Sequence, residues 1–181
     1  VKELEGGIIS SVVPSLKMTM QDAMCSITHR KSLIVGPGLK SGLKIRIDDP
    51  AQLGSDRVAE AVAAIAEYAA PMLIFNMGTA TTCSVIDEEG AYTGMLIMPG
   101  ALMSLDALIM NTSLLPNISL IGGPNGVVGK NTQDSIVNGT FFGNAAVLDG
   151  LAERISGQFS EETVLLATGG VSGRIIPYCR K

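Results

Sequence analysis

Four short segments of the sequence carry residue types that could do chemistry. In Gly54-Ser55-Asp56-Arg57 a glycine permits close backbone approach, a carboxylate can take a proton from a hydroxyl, and a guanidinium can clamp a carboxylate bidentately. Such parts suit an alcohol that also bears a carboxylate; they also suit a helix cap followed by a surface arginine. In Gly78-Thr79-Ala80-Thr81-Thr82 backbone N–H groups and hydroxyls can form a concave cradle for phosphate oxygens, or only a turn between two strands. Ala167-Thr168-Gly169-Gly170 could lay bare backbone against a nucleotide, or serve a strand-to-helix turn that needs glycine. Val128-Gly129-Lys130-Asn131-Thr132 heads a helix, where unsatisfied N–H groups and a threonine hydroxyl favour anions, with capping as the other use. The sequence has no GxxxxGK[ST], which excludes a Walker-type phosphate loop.

These segments sit among elements of mixed type. Residues 7–13 are rich in β-branched side chains and read as a buried strand ending at Pro14, followed by a helix over 15–26 and short strands at 32–35 and 43–47. Asp49-Pro50 supplies a helix-start signal for an alanine-rich helix running to about Ala69, with the tetrad in its opening turns or the loop before it. Residues 72–75, 83–86 and 91–98 form a strand-turn-strand series, an antiparallel meander that ends at Pro99-Gly100. A helix over 101–110, a loop over 111–129 and a long helix over 132–156 follow. In the long helix Ile136, Phe141, Ala145, Leu148, Ala152 and Ile155 recur at helical spacing, and Gly139 and Gly143 would permit close packing. A strand over 163–167 and a turn into a further helix close the chain. The expected class is α/β, with residues 1–70 in one lobe and 71–181 in another.

Composition narrows the functions. The 181 residues are 46% hydrophobic and 17% charged with no run of about 18 apolar residues, so the chain reads as globular and not membrane-spanning. A net charge of -4 without a basic cluster argues against nucleic acid or anionic lipid as partner and favours a small molecule. Cys25, Cys83 and Cys179 are widely spaced and His29 is the single histidine, so neither a zinc site nor a disulfide framework is indicated, and reduced thiols point to the cytoplasm.

Taken in order, Ile8-Ile9-Ser10-Ser11-Val12-Val13-Pro14, Val35-Gly36-Pro37-Gly38-Leu39-Lys40-Ser41-Gly42, Gly54-Ser55-Asp56-Arg57, Gly78-Thr79-Ala80-Thr81-Thr82, Met98-Pro99-Gly100, Gly129-Lys130-Asn131-Thr132 and Ala167-Thr168-Gly169-Gly170 resemble the type III pantothenate kinases. The resemblance implies the two-lobed actin-like fold of the acetate and sugar kinase, Hsp70 and actin superfamily, and a homodimer. It implies transfer of the γ-phosphoryl of ATP to pantothenate, the entry step of coenzyme A synthesis, with a divalent cation such as Mg2+ and a monovalent one such as K+ or NH4+. By the same resemblance Asp56 is the base that takes the hydroxyl proton, Gly54, Ser55, Arg57 and Thr132 hold pantothenate with it, and Thr79 touches ATP.

The sequence also departs from that family. Its members begin with a strand carrying an Asp-x-Gly-Asn-Thr phosphate-binding turn, which precedes the point where this chain starts, and they continue past the Thr-Gly-Gly turn. The chain therefore resembles a member cut at both ends, and this piece alone is expected to be inactive. Asn76 stands at the family's aspartate for the monovalent cation, and Ile47 at a tyrosine near pantothenate. An amide oxygen can coordinate a hard cation but brings no charge. The same departures also fit a non-catalytic relative, a binding or accessory regulatory protein.

Overall fold

The computed structural model describes residues 4–36, 39–112, 118, 120 and 122–180. Pro37-Gly38, expected to halt a strand, lie outside the described residues, as do parts of the 111–129 loop. The elements are mixed α and β, as the pattern of apolar residues requires, and the contacts divide them into two units: residues 1–69 with 90–93, and 70–89 with 94–181.

In the first unit β1 (Ile8–Ile9) pairs in parallel with β2 (Leu33–Ile34), joined by α1 (Pro14–Thr28). The expected strand over 7–13 is thus cut to two residues. Ser11 Oγ accepts a hydrogen bond from Val13 N at 3.1 Å, bending the chain, and Pro14 then starts α1 with the φ a helix needs. A third strand, β3 (Lys44–Ile45), pairs in parallel with Ala91 and Tyr92. Asp49 caps only a 3-10 turn, Pro50–Gln52, by accepting from Ala51 N at 3.0 Å. The main helix of the unit, α2 (Ser55–Glu67), starts later, with Gly54 as its N-cap, and it buries Ser55, Ala61 and Ala64. The tetrad therefore forms the head of α2, and the unit's core gathers Ile9, Val35, Leu53, Ala61 and Tyr92.

The second unit holds β4 (Met72–Met77), β5 (Ala80–Ile86) and most of β6 (Ala91–Pro99), in the order β6-β5-β4-β7. β4 and β5 are antiparallel, with Met77 opposite Thr81, and β7 (Val164–Thr168) joins the far side of β4 in parallel. β4 is apolar almost throughout because it is central, and Leu73, Phe75 and Met77 are buried. Against the sheet lie α3 (Ala101–Met110) and α4 (Thr132–Ser156), whose ends match the sequence expectation, and then a short α5 (Ser172–Ile175).

Phe141, Ala145, Leu148 and Ala152 bury one face of α4, and Tyr178 meets the Phe141 and Phe142 rings edge-on at 5.4 and 5.3 Å. Ile136 and Ile155 are only partly buried at the rim. Gly139 and Gly143 correct the expectation of close packing. A Cβ at either would meet nothing within 4 Å, because both line an open groove of about 670 Å³ between α3 and α4, beside Leu105, Leu108 and Ile136. Among the described residues no helix is long and apolar enough to cross a membrane.

Candidate functional site

The head of α2 is built from the backbone outward. Gly54 O accepts from Arg57 N at 3.0 Å and Val58 N at 3.1 Å, which closes the first turn. Ser55 is buried, and its hydroxyl donates to Ser11 O at 3.0 Å while accepting from Ser10 Oγ at 3.3 Å. That hydroxyl is engaged in tying α2 to the segment after β1. Asp56 lies in the first turn, where the helix dipole favours a carboxylate, and its side chain is 47% exposed.

Arg57 reaches Asp56 Oδ2 with Nε at 3.3 Å and Nη2 at 3.1 Å, while its Nη1 lies 2.9 Å from Glu60 Oε2. The guanidinium is therefore bracketed by two carboxylates of its own helix. Arg57, expected from the sequence to clamp a ligand, is thus held by Asp56 and by Glu60, a residue that its local sequence does not mark. An arginine and a glutamate three apart are a common helix-surface pattern, and only burial sets this pair apart.

In the second unit the turn between β4 and β5 is Gly78-Thr79. Gly78 N donates to Ala80 O at 3.1 Å, which tightens it, and Thr79 is exposed. Two glycines press on its backbone. Gly100 N donates to Thr79 O at 3.1 Å, and a Cβ on Gly100 would stand 2.5 Å from Gly78 O and closer still to Thr79 O. Gly169, at φ +97°, lies against Met77, with 2.6 Å from a Cβ to the Met77 backbone atoms. Val171 N then donates to Met77 O at 3.2 Å. The Ala167-Thr168-Gly169-Gly170 segment thus brings its bare backbone against the hairpin turn, and Gly169 needs a conformation that other residues rarely adopt.

Beside this turn opens a cavity of about 750 Å³, lined by Gly78, Thr79 and Gly170 on one wall and by Met103, Asp106 and Asn111 of α3 and its end on another. It has the size of an organic ligand site and mixes apolar wall with a few polar groups. Asp106 and Asn111 did not stand out in the sequence because nothing in their spacing marks them. Asn76, on β4 one residue before Met77, is half-buried, with its Oδ1 3.6 Å from where a Gly78 Cβ would be. Among the described residues no group of three His, Cys, Asp or Glu side chains comes together to hold a metal ion. A divalent ion bound mainly through nucleotide phosphates needs no such cage.

Thr132 is exposed at the first position of α4 and is not the cap. Asn131 caps the helix, with Oδ1 accepting from Asp134 N at 2.8 Å and Nδ2 donating to Asp134 Oδ2 at 2.8 Å. Gly129 packs on the Ser135 backbone, Cα at 2.5 Å from its missing Cβ, which folds the preceding loop over the helix head.

Comparison with known proteins gives the class of the chain, a phosphoryl-transfer protein. The sequence model of the family described as type III pantothenate kinase matches residues 1–154. Curated relatives of that name include proteins of Shouchella clausii, 44% identical over 94% of this chain and 66% of the relative. Others come from Halalkalibacterium halodurans, 40% identical over 94% of the chain and 67% of the relative, and Exiguobacterium sibiricum, 38% over 95% and 67%. The chain belongs to the type III pantothenate kinase family. It spans about two thirds of the length of these relatives. A solved structure from Campylobacter jejuni, assigned to the Baf family of transcriptional activators, shares the fold with a TM-score of 0.60 over 98% of this chain and 74% of that one, at 19% identity.

Proposed function

We propose that the protein phosphorylates pantothenate, carrying the γ-phosphoryl of ATP to its hydroxyl to give 4'-phosphopantothenate for coenzyme A synthesis, as the names of its relatives indicate. The observation that carries this reading is the intact head of α2. There Asp56 presents a half-exposed carboxylate, able to accept the proton of an alcohol, beside a fixed guanidinium. Gly54, Ser55 and Arg57 form the wall around it, with Ser55 acting through backbone and position because its hydroxyl is engaged elsewhere. Thr132, exposed at the head of α4, adds a contact to pantothenate.

In this reading Thr79 and the cavity beside it receive ATP. The fit rests on room and on bare backbone: about 750 Å³ next to Gly78, Thr79 and Gly170. ATP, bound with a divalent cation, supplies the phosphoryl group and the charge that the metal neutralises. The chain's own part is to orient the alcohol, accept its proton at an Asp56 carboxylate oxygen, and fix the turn against which phosphate lies. Asn76 occupies the place of a monovalent-cation ligand for K+ or NH4+, with an amide oxygen in place of a charge, so stimulation by those ions is weak.

The same reading gives the chain the two-lobed actin-like fold and a homodimer in the cytoplasm, with no nucleic-acid or membrane partner. Support for the homodimer comes from the open apolar groove between α3 and α4, where Leu108 and Val147 stay exposed. Coupled ADP release by the full-length protein tests the function. ADP formation that requires pantothenate supports it, and ADP formation indifferent to pantothenate overturns it.

A further inference from the structure

Glu60 is the least expected member of the α2 cluster. Its side chain is 12% exposed, as is that of Arg57, whereas Asp56 is 47% exposed. Glu60 Oε2 has essentially no solvent contact, and its approach to Arg57 Nη1 at 2.9 Å is a close ion contact, not an aligned hydrogen bond. A carboxylate taken out of water is costly unless an opposite charge stays beside it. Glu60 thus holds Arg57 in place from the sheltered side, and Arg57 in turn reaches outward through Nε and Nη2 to one Asp56 oxygen, Oδ2.

We infer that Glu60 is a positioning residue for the phosphoryl-transfer reaction: it acts through Arg57 to set the direction of the Asp56 carboxylate, touching no substrate itself. This rests on the reading of Asp56 as the base. With Oδ2 occupied by the guanidinium, Oδ1 is the oxygen left to face Gly54, in the room its missing Cβ leaves and with Val12 Cγ1 3.5 Å from that Cβ position. Without Glu60 the guanidinium loses its inner anchor and can swing with Asp56, and the carboxylate no longer has one direction. The second carboxylate also keeps the cluster's net charge negative.

A double-mutant cycle in the full-length protein tests this, with kcat and both KM values measured for Glu60→Leu, Arg57→Ala and the pair. Glu60→Leu is expected to lower kcat roughly ten-fold in the parent and under about two-fold once Arg57 is alanine, because residues acting through one another are not additive. The melting temperature and the KM for ATP should move little. Glu60→Gln, which keeps an acceptor oxygen for Arg57, should recover most of the loss, and Glu60→Ala, which also removes the acceptor, takes the place of Glu60→Leu if that variant does not fold. An equal loss in both Arg57 backgrounds, or no loss at all, overturns the inference. Asp56→Asn separates the two readings: if it is silent, the base assignment has failed, and if it is inactive while Glu60→Leu is silent, only the role of Glu60 has failed.

Discussion

A Cβ built on Gly54 would meet Asp56 Oδ1 at 2.5 Å, so the carboxylate lies in the space that the missing side chain leaves. Gly54 has an ordinary extended-type backbone, φ -58° and ψ 142°, and what its position demands is room, not a rare conformation. Gly54→Ala is expected to push the carboxylate aside and lower kcat/KM for pantothenate by roughly ten-fold, with KM for ATP little changed. As an N-cap, alanine also costs about 1 kcal/mol of stability, which urea unfolding will read separately.

The Thr79 turn supplies the matching test in the second unit. Gly100→Ala forces a methyl group onto the Gly78 and Thr79 carbonyls, whereas Gly94→Ala on β6, the preceding strand, meets nothing within 4 Å. Steady-state kinetics should show KM for ATP raised by roughly ten-fold or more in Gly100→Ala and unchanged in Gly94→Ala. Equal KM values for the two variants would remove the turn from the nucleotide site.

Sequence reading found the elements whose signals are local. The ends of α3 and α4 were legible because Pro99-Gly100 and Asn131 punctuate runs with helical periodicity. The strand over 7–13 was overread: β-branched residues signal extended chain, but the Ser11 turn and Pro14 end it early. At the site Asp56 and Thr79 were visible by residue type and neighbours. Glu60 and Asp106 were not, since each has an ordinary local role on a helix face, and Gly100 was legible as the end of a strand but not as the neighbour of the Thr79 turn. Their significance comes from what the fold sets beside them. Arg57 and Asp56 were legible but Glu60 was not, because a charge pair three residues apart on a helix is too common to mark a site and only its burial sets it apart.

Cys83 is completely buried on β5, and burial pushes its thiol from 9.0 up to about 12. A raised thiol pKa means the folded state holds a proton that the unfolded state releases, so this contribution is whole below pH 9.0 and is lost as pH climbs toward about 12. The stability difference between parent and Cys83→Ala, followed by urea unfolding, should therefore shrink across that window. Alkylation of the native protein at neutral pH should label exposed Cys25 and spare Cys83.

Phe141 is 2% exposed and stands edge-on to Tyr178, joining α4 to the 3-10 turn that follows α5. Phe141→Ala should cost about 3–5 kcal/mol in urea unfolding, the usual penalty for emptying an aromatic core position. A loss below about 1 kcal/mol would mean that this packing is loose.

The direct test of the central claim is the rate at which full-length protein with Asp56→Asn converts ATP and pantothenate to 4'-phosphopantothenate, measured by rapid quench at saturating substrates. Asparagine keeps the shape of the side chain and removes its ability to take a proton. The account predicts a loss of about 10² to 10⁴ in that rate with both substrates still bound; a rate within about two-fold of the parent would contradict it.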